Sequence, residues 1–350
     1  MIYSNKIVHV HKEALMKISQ QMIADFAGVS RGTVDRVLHG KPNVNPQTRE
    51  KVLDAIEKLG YKPNMIARAL SLSKRRYSIC VVMPENSFFE SVKEGIDAAI
   101  SELGDYNISV SYISTEGKAN EEIIKAINCD ESNAYMVALG DTSDIRECIR
   151  QKTEAGIPVI TFNTDIRNCG RLCFVGQNLK KSGRVAASLM LKLMSGKAGK
   201  LLIVTGNSKY KAHRERVEGF CEVVEGSGLK SCIAGIVETN DKGDLTRDLV
   251  GKALDEDPEI AGIYLASGHV SAFAELLRAR NQKYNVIIND LYPVVEKALK
   301  DNIIDFTIFQ NPFEQGYKPV KLLFDFIFGG IKPDEEYYYT ANTIITDEIV

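Results

Sequence analysis

The sequence has no run of about 18 apolar residues, so it offers no membrane-spanning helix. The opening MIYSNKIVHVHKEALMK has neither an apolar centre nor a small-residue cleavage site, which argues against a secretory leader. Seven cysteines are present without a C-x-x-C pair, and Cys169 and Cys173, four apart, have no histidine beside them. Such an odd, scattered set reads as reduced, packed thiols of a cytoplasmic protein rather than as disulfides or a metal site. No G-x-G-x-x-G or G-x-x-x-x-G-K-[ST] follows a strand-like run, so no nucleotide cofactor is expected. There is no G-x-S-x-G elbow and no H-E-x-x-H helix. The five histidines (His9, His11, His39, His213 and His269) gather nowhere. With no nucleophile, metal site or cofactor marked, the chain reads as a non-enzyme.

What is present is unevenly charged. At 350 residues the chain exceeds one small domain. The net charge is only −2, yet residues 1–76 hold 14 Lys/Arg against 6 Asp/Glu, and the remainder holds 30 against 40. A basic head on an acidic body points to a polyanionic partner for the head alone.

The head carries helix signals in close succession. Ser19 can cap a helix over residues 20–27 with Ile23, Phe26 and Ala27 on its apolar side, and Gly28 can close it in the left-handed conformation. Ser30 can cap a second helix from Arg31 to Leu38, with Val34, Val37 and Leu38 inward. Two short helices around AGVS have the spacing of a helix-turn-helix. A third begins at Asn45 and Pro46, turns Val52, Leu53, Ile56 and Leu59 inward and ends at Gly60. Pro63 then biases Lys62 away from helix, and Asn64 can cap a short segment, NMIARAL, too short to be helical alone in water.

The stretch MIADFAGVSRGTVDRVL, followed by NPQTREKVLDAIEKLGYKPNMIARAL, resembles the DNA-binding head of the lactose-repressor (LacI/GalR) family over about 50 residues with almost no gaps. The resemblance implies that the second helix lies in the DNA major groove. Carried over residue by residue, Ser30 opens the DNA-facing set, and Arg31 and Gly32 fall on base-reading positions. Thr33 and Arg36 fall on positions that touch phosphate or base. An arginine fork suits guanine O6 and N7. Asp35 stands where the family usually has serine; it can accept from cytosine N4 or pair with Arg31 four residues back. Asn43, Thr48 and Arg49 fall on backbone-contact positions. Asn64 would start a hinge helix that folds when two copies pack on the operator, with Leu70 as a minor-groove wedge. The implied layout is an extension or misassigned start over 1–16, with Met16 as an alternative first residue. The helix-turn-helix domain follows at 17–63, the hinge at 64–76 and an effector-binding, dimerising body at 77–350.

The body reads differently. Apolar runs of strand length (SICVVMP, NISVSYI, AYMVALG, IPVITFN, KLLIVTG, AGIYLAS, YNVIIND) alternate with helical segments, which implies α/β architecture with parallel sheets covered by helices. Parallel sheets bind ligands at the carboxyl ends of their strands. Polar residues recur there: Asn86 with Phe88 and Phe89, then Asp141, Asn163, Asp165, Asp290 and Gln310.

ENSFFESVKEGIDAA, GIPVITFNTD, HRERVEGF and FTIFQNPFEQGY resemble the sugar-sensing domains of the same family and the ribose-type periplasmic binding proteins. The resemblance implies two lobes, 77–177 with 311–338 and 178–310 with 339–350, joined by three crossovers that act as a hinge. It implies that Phe88 and Phe89 stack on a sugar ring, and that Asn86, Asn163, Asp165, Arg214, Asp290 and Gln310 bond its hydroxyls. Arg216 would be structural. Asn163 and Ser267 stand where the ribose binders have Asp and Asn. The combined expectation is a cytoplasmic homodimer, a tetramer remaining open, that binds double-stranded operator DNA and answers a small carbohydrate effector. Repression without ligand is the expected polarity. The alternatives are a solute-binding protein, which lacks a leader and a use for the basic head, and a sugar-acting enzyme, for which Asp165 and Asp290 would be the paired carboxylates.

Overall fold

In the computed structural model the chain forms two compact units that part near residue 68. The structure describes residues 19–38, 44–59, 76–196, 198–208, 211–227, 232–267, 270–280 and 282–350. The expectations for residues 1–16, for Asn43 and for the hinge with Asn64 and Leu70 lie outside these residues. Among the described residues no helix is long and apolar enough to cross a membrane.

The head holds α1 (Gln20–Ala27), α2 (Arg31–Leu38) and α3 (Pro46–Leu59). Ser19 caps α1 through the Met22 N–H, and Gly28 ends it at φ 65°, where a Cβ is disfavoured. Ile23, Ala24, Val34, Val37, Val52 and Ala55 form the core. Two expected core residues point outward: Phe26 is 55% exposed and Leu53 is 52% exposed. The reason is the helical period. Ile23 and Ala24 set the buried stripe of α1, as Val52 and Ala55 do for α3, and Phe26 and Leu53 sit off those stripes.

The body is built on two six-stranded sheets among the described residues. The first contains β1 (Tyr77–Met83), β2 (Ile108–Ser114), β3 (Ala134–Val137), β4 (Val159–Phe162), β5 (Phe174–Gln177) and β11 (Tyr337–Thr340), in the order β2-β1-β3-β4-β5-β11. The second contains β6 (Lys200–Thr205), β7 (Ile233–Glu238), β8 (Ile260–Leu265), β9 (Asn285–Asn289), β10 (Phe306–Phe309) and β12 (Thr343–Ile345), in the order β7-β6-β8-β9-β10-β12. All pairings are parallel except β10 with β12. The chain crosses between sheets after β5, after β10 and after β11. The last crossover falls beyond residue 340 rather than at 339, because all of β11 pairs with β5. In each sheet the strand order reverses, at β1/β3 and at β6/β8, and this opens a crevice at the carboxyl ends.

Strand alternation fills both faces of each sheet. In β1, Ile79, Val81 and Met83 meet α4 (Ser87–Glu102) and α12 (Pro312–Phe324). Cys80 and Val82 meet α5 (Asn120–Cys129) and α6 (Ser143–Glu154). Cys169 and Cys173 sit in these two different clusters, so they are packed thiols rather than a pair, and burial raises the Cys173 thiol to about 12. The second sheet repeats the plan. Leu202, Val204, Val286 and Ile288 meet α9 (Gly243–Glu256), α10 (Val270–Ala279) and α11 (Pro293–Lys300). Leu201, Ile203, Tyr264 and Ile287 meet α7 (Leu179–Leu193) and α8 (Lys211–Gly226).

Each lobe pins one helix pair at reciprocal glycines. A Cβ on Gly95 would lie 2.0 Å from the Phe313 carbonyl oxygen, and one on Gly316 would lie 2.0 Å from that of Val92. In the other lobe, a Cβ on Gly183 would lie 1.9 Å from the Arg216 carbonyl oxygen, and one on Gly219 would lie 2.0 Å from that of Lys180. Gly316→Ala is therefore expected to cost about 1–3 kcal/mol of stability, because backbone cannot yield as a side chain does. Gly104→Ala, with nothing within 4 Å, is expected to stay within about 0.5 kcal/mol. Urea melts of the two variants check the contrast.

Candidate nucleic-acid face and ligand cleft

On the head, α2 turns Val34 and Val37 inward and leaves Arg31, Gly32 and Arg36 exposed, with Thr33 and Asp35 half-buried. Ser30 is committed locally: its Oγ accepts the Thr33 N–H at 3.2 Å and pairs with the Thr33 hydroxyl at 2.9 Å. Asp35 is engaged, and the order Arg31 before Asp35 is the weaker one for an ion pair at this spacing on a helix. A Cβ on Gly32 would meet only Ser30 Oγ, at 3.8 Å, so the glycine serves no packing need. Thr48 and Arg49 sit half-buried in the first turn of α3, which Asn45 caps through the Gln47 N–H.

In the body, the crevice residues divide into groups. Asp290 follows β9 with φ 72°, a conformation an aspartate rarely adopts. Its Oδ1 accepts from Gln310 Nε2 at 2.6 Å, and its Oδ2 lies 3.9 Å from Arg216 Nη1. Arg216 is 4% exposed. Its Nη2 donates to Gln177 Oε1 at 3.0 Å, at the end of the first lobe's β5, and its Nη1 donates to the Ala266 carbonyl at 3.4 Å. Gln310 continues the chain of contacts: Gln315 Nε2 donates to its carbonyl at 3.0 Å and its Oε1 at 3.3 Å. Gln315 Oε1 in turn accepts from Asn163 at 3.3 Å, at the end of β4. Asn163 and Asn311, which caps α12, also have positive φ. Several buried polar atoms here have no partner: Arg216 Nε, Gln177 Nε2, Ser267 Oγ and Thr205 Oγ1, with Thr340 Oγ1 and Asn342 Oδ1 at the last crossover. Buried polar groups are normally paired, so this concentration sets the crevice apart from the cores on either side.

Other expected residues stand apart from this network. Asn86 caps α4 through the Phe88 and Phe89 N–H groups. Phe88 lines the crevice, but Phe89 turns into the core edge-on to Phe162, since successive helical residues point about 100° apart. Asp141 is held by its own helix through Arg146, at 2.7 Å. Asp165 is buried and fully engaged by Arg171, through Nε at 2.6 Å and Nη2 at 3.0 Å, and by the Thr161 hydroxyl at 2.9 Å. Its carboxylate is thus occupied by groups of its own lobe. Arg214 and Arg216 exchange their expected places. Arg214 is half exposed and reaches the Ser208 carbonyl at 3.2 Å and Glu218 at 3.8 Å. Arg216, two residues on, points inward.

Sequence reasoning missed Gln177, Arg216 and Gln315 as crevice residues. Gln177 had a readable signal: it ends the strand-length run FVGQ just before the capping Asn178. The cavity between the lobes is about 30 Å3, lined by Ser87, Phe88, Ser91, Asp290, Leu291, Tyr292, Phe309 and Pro312. It has room for little more than a water. Beside it, His213 Nδ1 accepts the Asn207 N–H at 3.0 Å. Burial lowers the His213 pKa, Asp241 opposes this and Arg216 reinforces it.

Residues 79–330 match the periplasmic binding protein domain family, and residues 21–64 match the bacterial regulatory proteins of the lacI family. The chain is 27% identical over 279 residues to catabolite control protein A of Priestia megaterium, covering 79% of this chain and 81% of that one. Among solved structures it is similar to a putative LacI transcriptional regulator from Bacteroides fragilis, with TM-score 0.70 and 21% identity over 78% of this chain and 98% of that one. It is also similar to GanP, a glucose-galactose binding protein from Geobacillus stearothermophilus, with TM-score 0.67 and 24% identity over 78% and 98%.

Two stability outcomes follow. Arg216→Ala should cost about 2–3 kcal/mol, below the range for a fully buried pair because Asp290 keeps some access to water. Arg214→Ala should stay within about 0.5 kcal/mol; denaturant midpoints decide. His213 has a lowered folded pKa, so the unfolded chain binds the proton more readily and stability falls as pH drops below about 6.5. His213→Gln should flatten that fall in melts taken from neutral to mildly acidic pH.

Proposed function

We propose that this chain, which belongs to the periplasmic binding protein domain family through its body and carries a lacI-family head, is a transcription regulator whose operator affinity is set by a small ligand closed between its lobes. The observation that carries the ligand half is the crevice network: Arg216, Asp290 and Gln310 converge there, and Arg216 Nε, Gln177 Nε2 and Ser267 Oγ are buried without partners. Groups of both charges and several neutral donors and acceptors suit a molecule with many hydroxyls, a sugar or sugar derivative. The likeness to a glucose-galactose binding protein supports that class.

For the DNA half, α2 offers Arg31 and Arg36 on an exposed face, with Gly32 leaving the backbone open to close approach. Two copies in a homodimer would read the halves of a pseudo-palindrome in the cytoplasm, repressing without ligand. The ligand acts only by binding two states of the body with different affinity. Asn43, Thr48 and Arg49 would hold the DNA backbone, Asn64 and Leu70 would form the hinge, and Asn86 and Phe88 would face the ligand from the first lobe.

Genomic footprinting with purified protein tests the reading. Arg36→Ala should lose about 1–3 kcal/mol of operator affinity, and binding should weaken steeply with salt. Asp290→Asn should abolish the ligand response and spare DNA affinity. A thermal-shift screen of pentoses, hexoses, polyols and their phosphates should yield a binder that raises Tm. Folded protein that protects no DNA sequence sinks the proposal.

A further inference from the structure

Tyr292 is the one described residue that packs against the hydrophobic cores of both lobes. It follows Asp290 and Leu291 after β9 and immediately precedes α11. On one side it meets the cluster containing Phe88, Phe89 and Phe162; on the other it meets the cluster containing Ile288, Val295 and Leu299. Its side chain also lines the inter-lobe cavity, which is left with about 30 Å3. Burial holds the phenol proton on, well above the usual tyrosine range; Asp290 adds to this and Arg216 opposes it, so both charges of the crevice act on this hydroxyl. A six-membered ring with two apolar faces therefore already sits between the lobes, two residues beyond Asp290.

We propose that Tyr292 is a specificity-determining gate: its ring fills the space that the ligand takes, and the ligand is an uncharged, hydroxylated six-membered ring that displaces it when the lobes part to admit it, before they close on it. The ligand clause rests on the cleft reading above; the gate itself does not. The displacement lowers the apparent affinity of every ligand by the cost of moving the ring. Removing the ring leaves an apolar hole of its own shape, and such holes bind small aromatic molecules.

The experiment uses the full chain with genetically encoded spin labels at exposed Lys125 and Lys252, one in each lobe, and p-cresol as the probe. Tyr292→Phe should keep the wild-type inter-lobe distance. Tyr292→Ala should lengthen it by several ångströms, and millimolar p-cresol should restore it and raise Tm, with no effect on wild type. An Ala variant as closed as wild type, or one that ignores p-cresol, overturns the gate. If that variant does not fold, Tyr292→Trp supplies the only tryptophan of the chain. Its emission should be blue-shifted and shielded from acrylamide, and a solvent-exposed indole overturns the gate equally. D-glucose, D-galactose and myo-inositol separate the two claims. A binder should bind Tyr292→Ala several-fold more tightly than wild type, whereas weaker binding makes the ring a platform and refutes the gate. If none of the three binds either protein while p-cresol recloses the Ala variant, the gate stands and the assigned ligand class falls.

Discussion

A guanidinium held away from water needs charge and acceptors at fixed positions, and Arg216 sets that requirement for the body. Its nearest carboxylate, Asp290, stands 3.9 Å away, beyond a close contact, and its Nε has no acceptor. Neighbouring features serve to hold this incomplete arrangement still. Gly183 lets α7 press against the Arg216 carbonyl, which fixes the turn of α8 from which the side chain springs. The left-handed backbone of Asp290 aims its carboxylate back over the strand ends, where Gln310 holds one oxygen. Beneath them, Asn289 is bonded by the Tyr264 hydroxyl and to Ser182, so the floor is rigid. Left-handed backbone and buried polar atoms without protein partners therefore coincide at one place in the body.

Much of this was legible in the sequence, and the limits have physical causes. The helices of the head were readable to the residue because Ser19, Gly28 and Ser30 mark their ends and the apolar spacing is regular. Six of the seven strand-like runs matched strands because buried parallel strands are almost wholly apolar; the seventh, β2, is an edge strand that alternates with serine. The strands β5, β7, β11 and β12 were harder. β7 is an alternating edge strand, while FVGQ, YYYT and TII are three or four residues long and carry no period. Crevice chemistry was legible as polar residues at strand ends but not as partnership. Nothing local says that Asp165 is consumed by Arg171 six residues on, and the exchange of Arg214 for Arg216 turns on which face of α8 meets α7. Gln315 is fully buried, and no local period in the polar stretch QNPFEQ shows it.

Opening the body means breaking the contacts that span its lobes, and their chemistry keeps that cost small. Arg216 to Gln177 and Gln310 to Gln315 are side-chain contacts through amides, not pairs of opposite ions. Each such bond contributes about 0.5–1.5 kcal/mol net, or about 1.5–3 where a charged group takes part, since water replaces the lost partner when the lobes separate. The apolar share of the contact is concentrated in one ring, that of Tyr292. Had opposing carboxylates and guanidiniums locked the lobes, a neutral ligand would have to outbid a strong electrostatic clasp. Asp165 is instead tied to Arg171 of its own lobe. With contacts of that size, and with the ring moving as proposed above, parting the lobes would cost a few kcal/mol. A shift of that size lies within the differential affinity of a small hydroxylated ligand, which is the condition a ligand-driven switch has to meet.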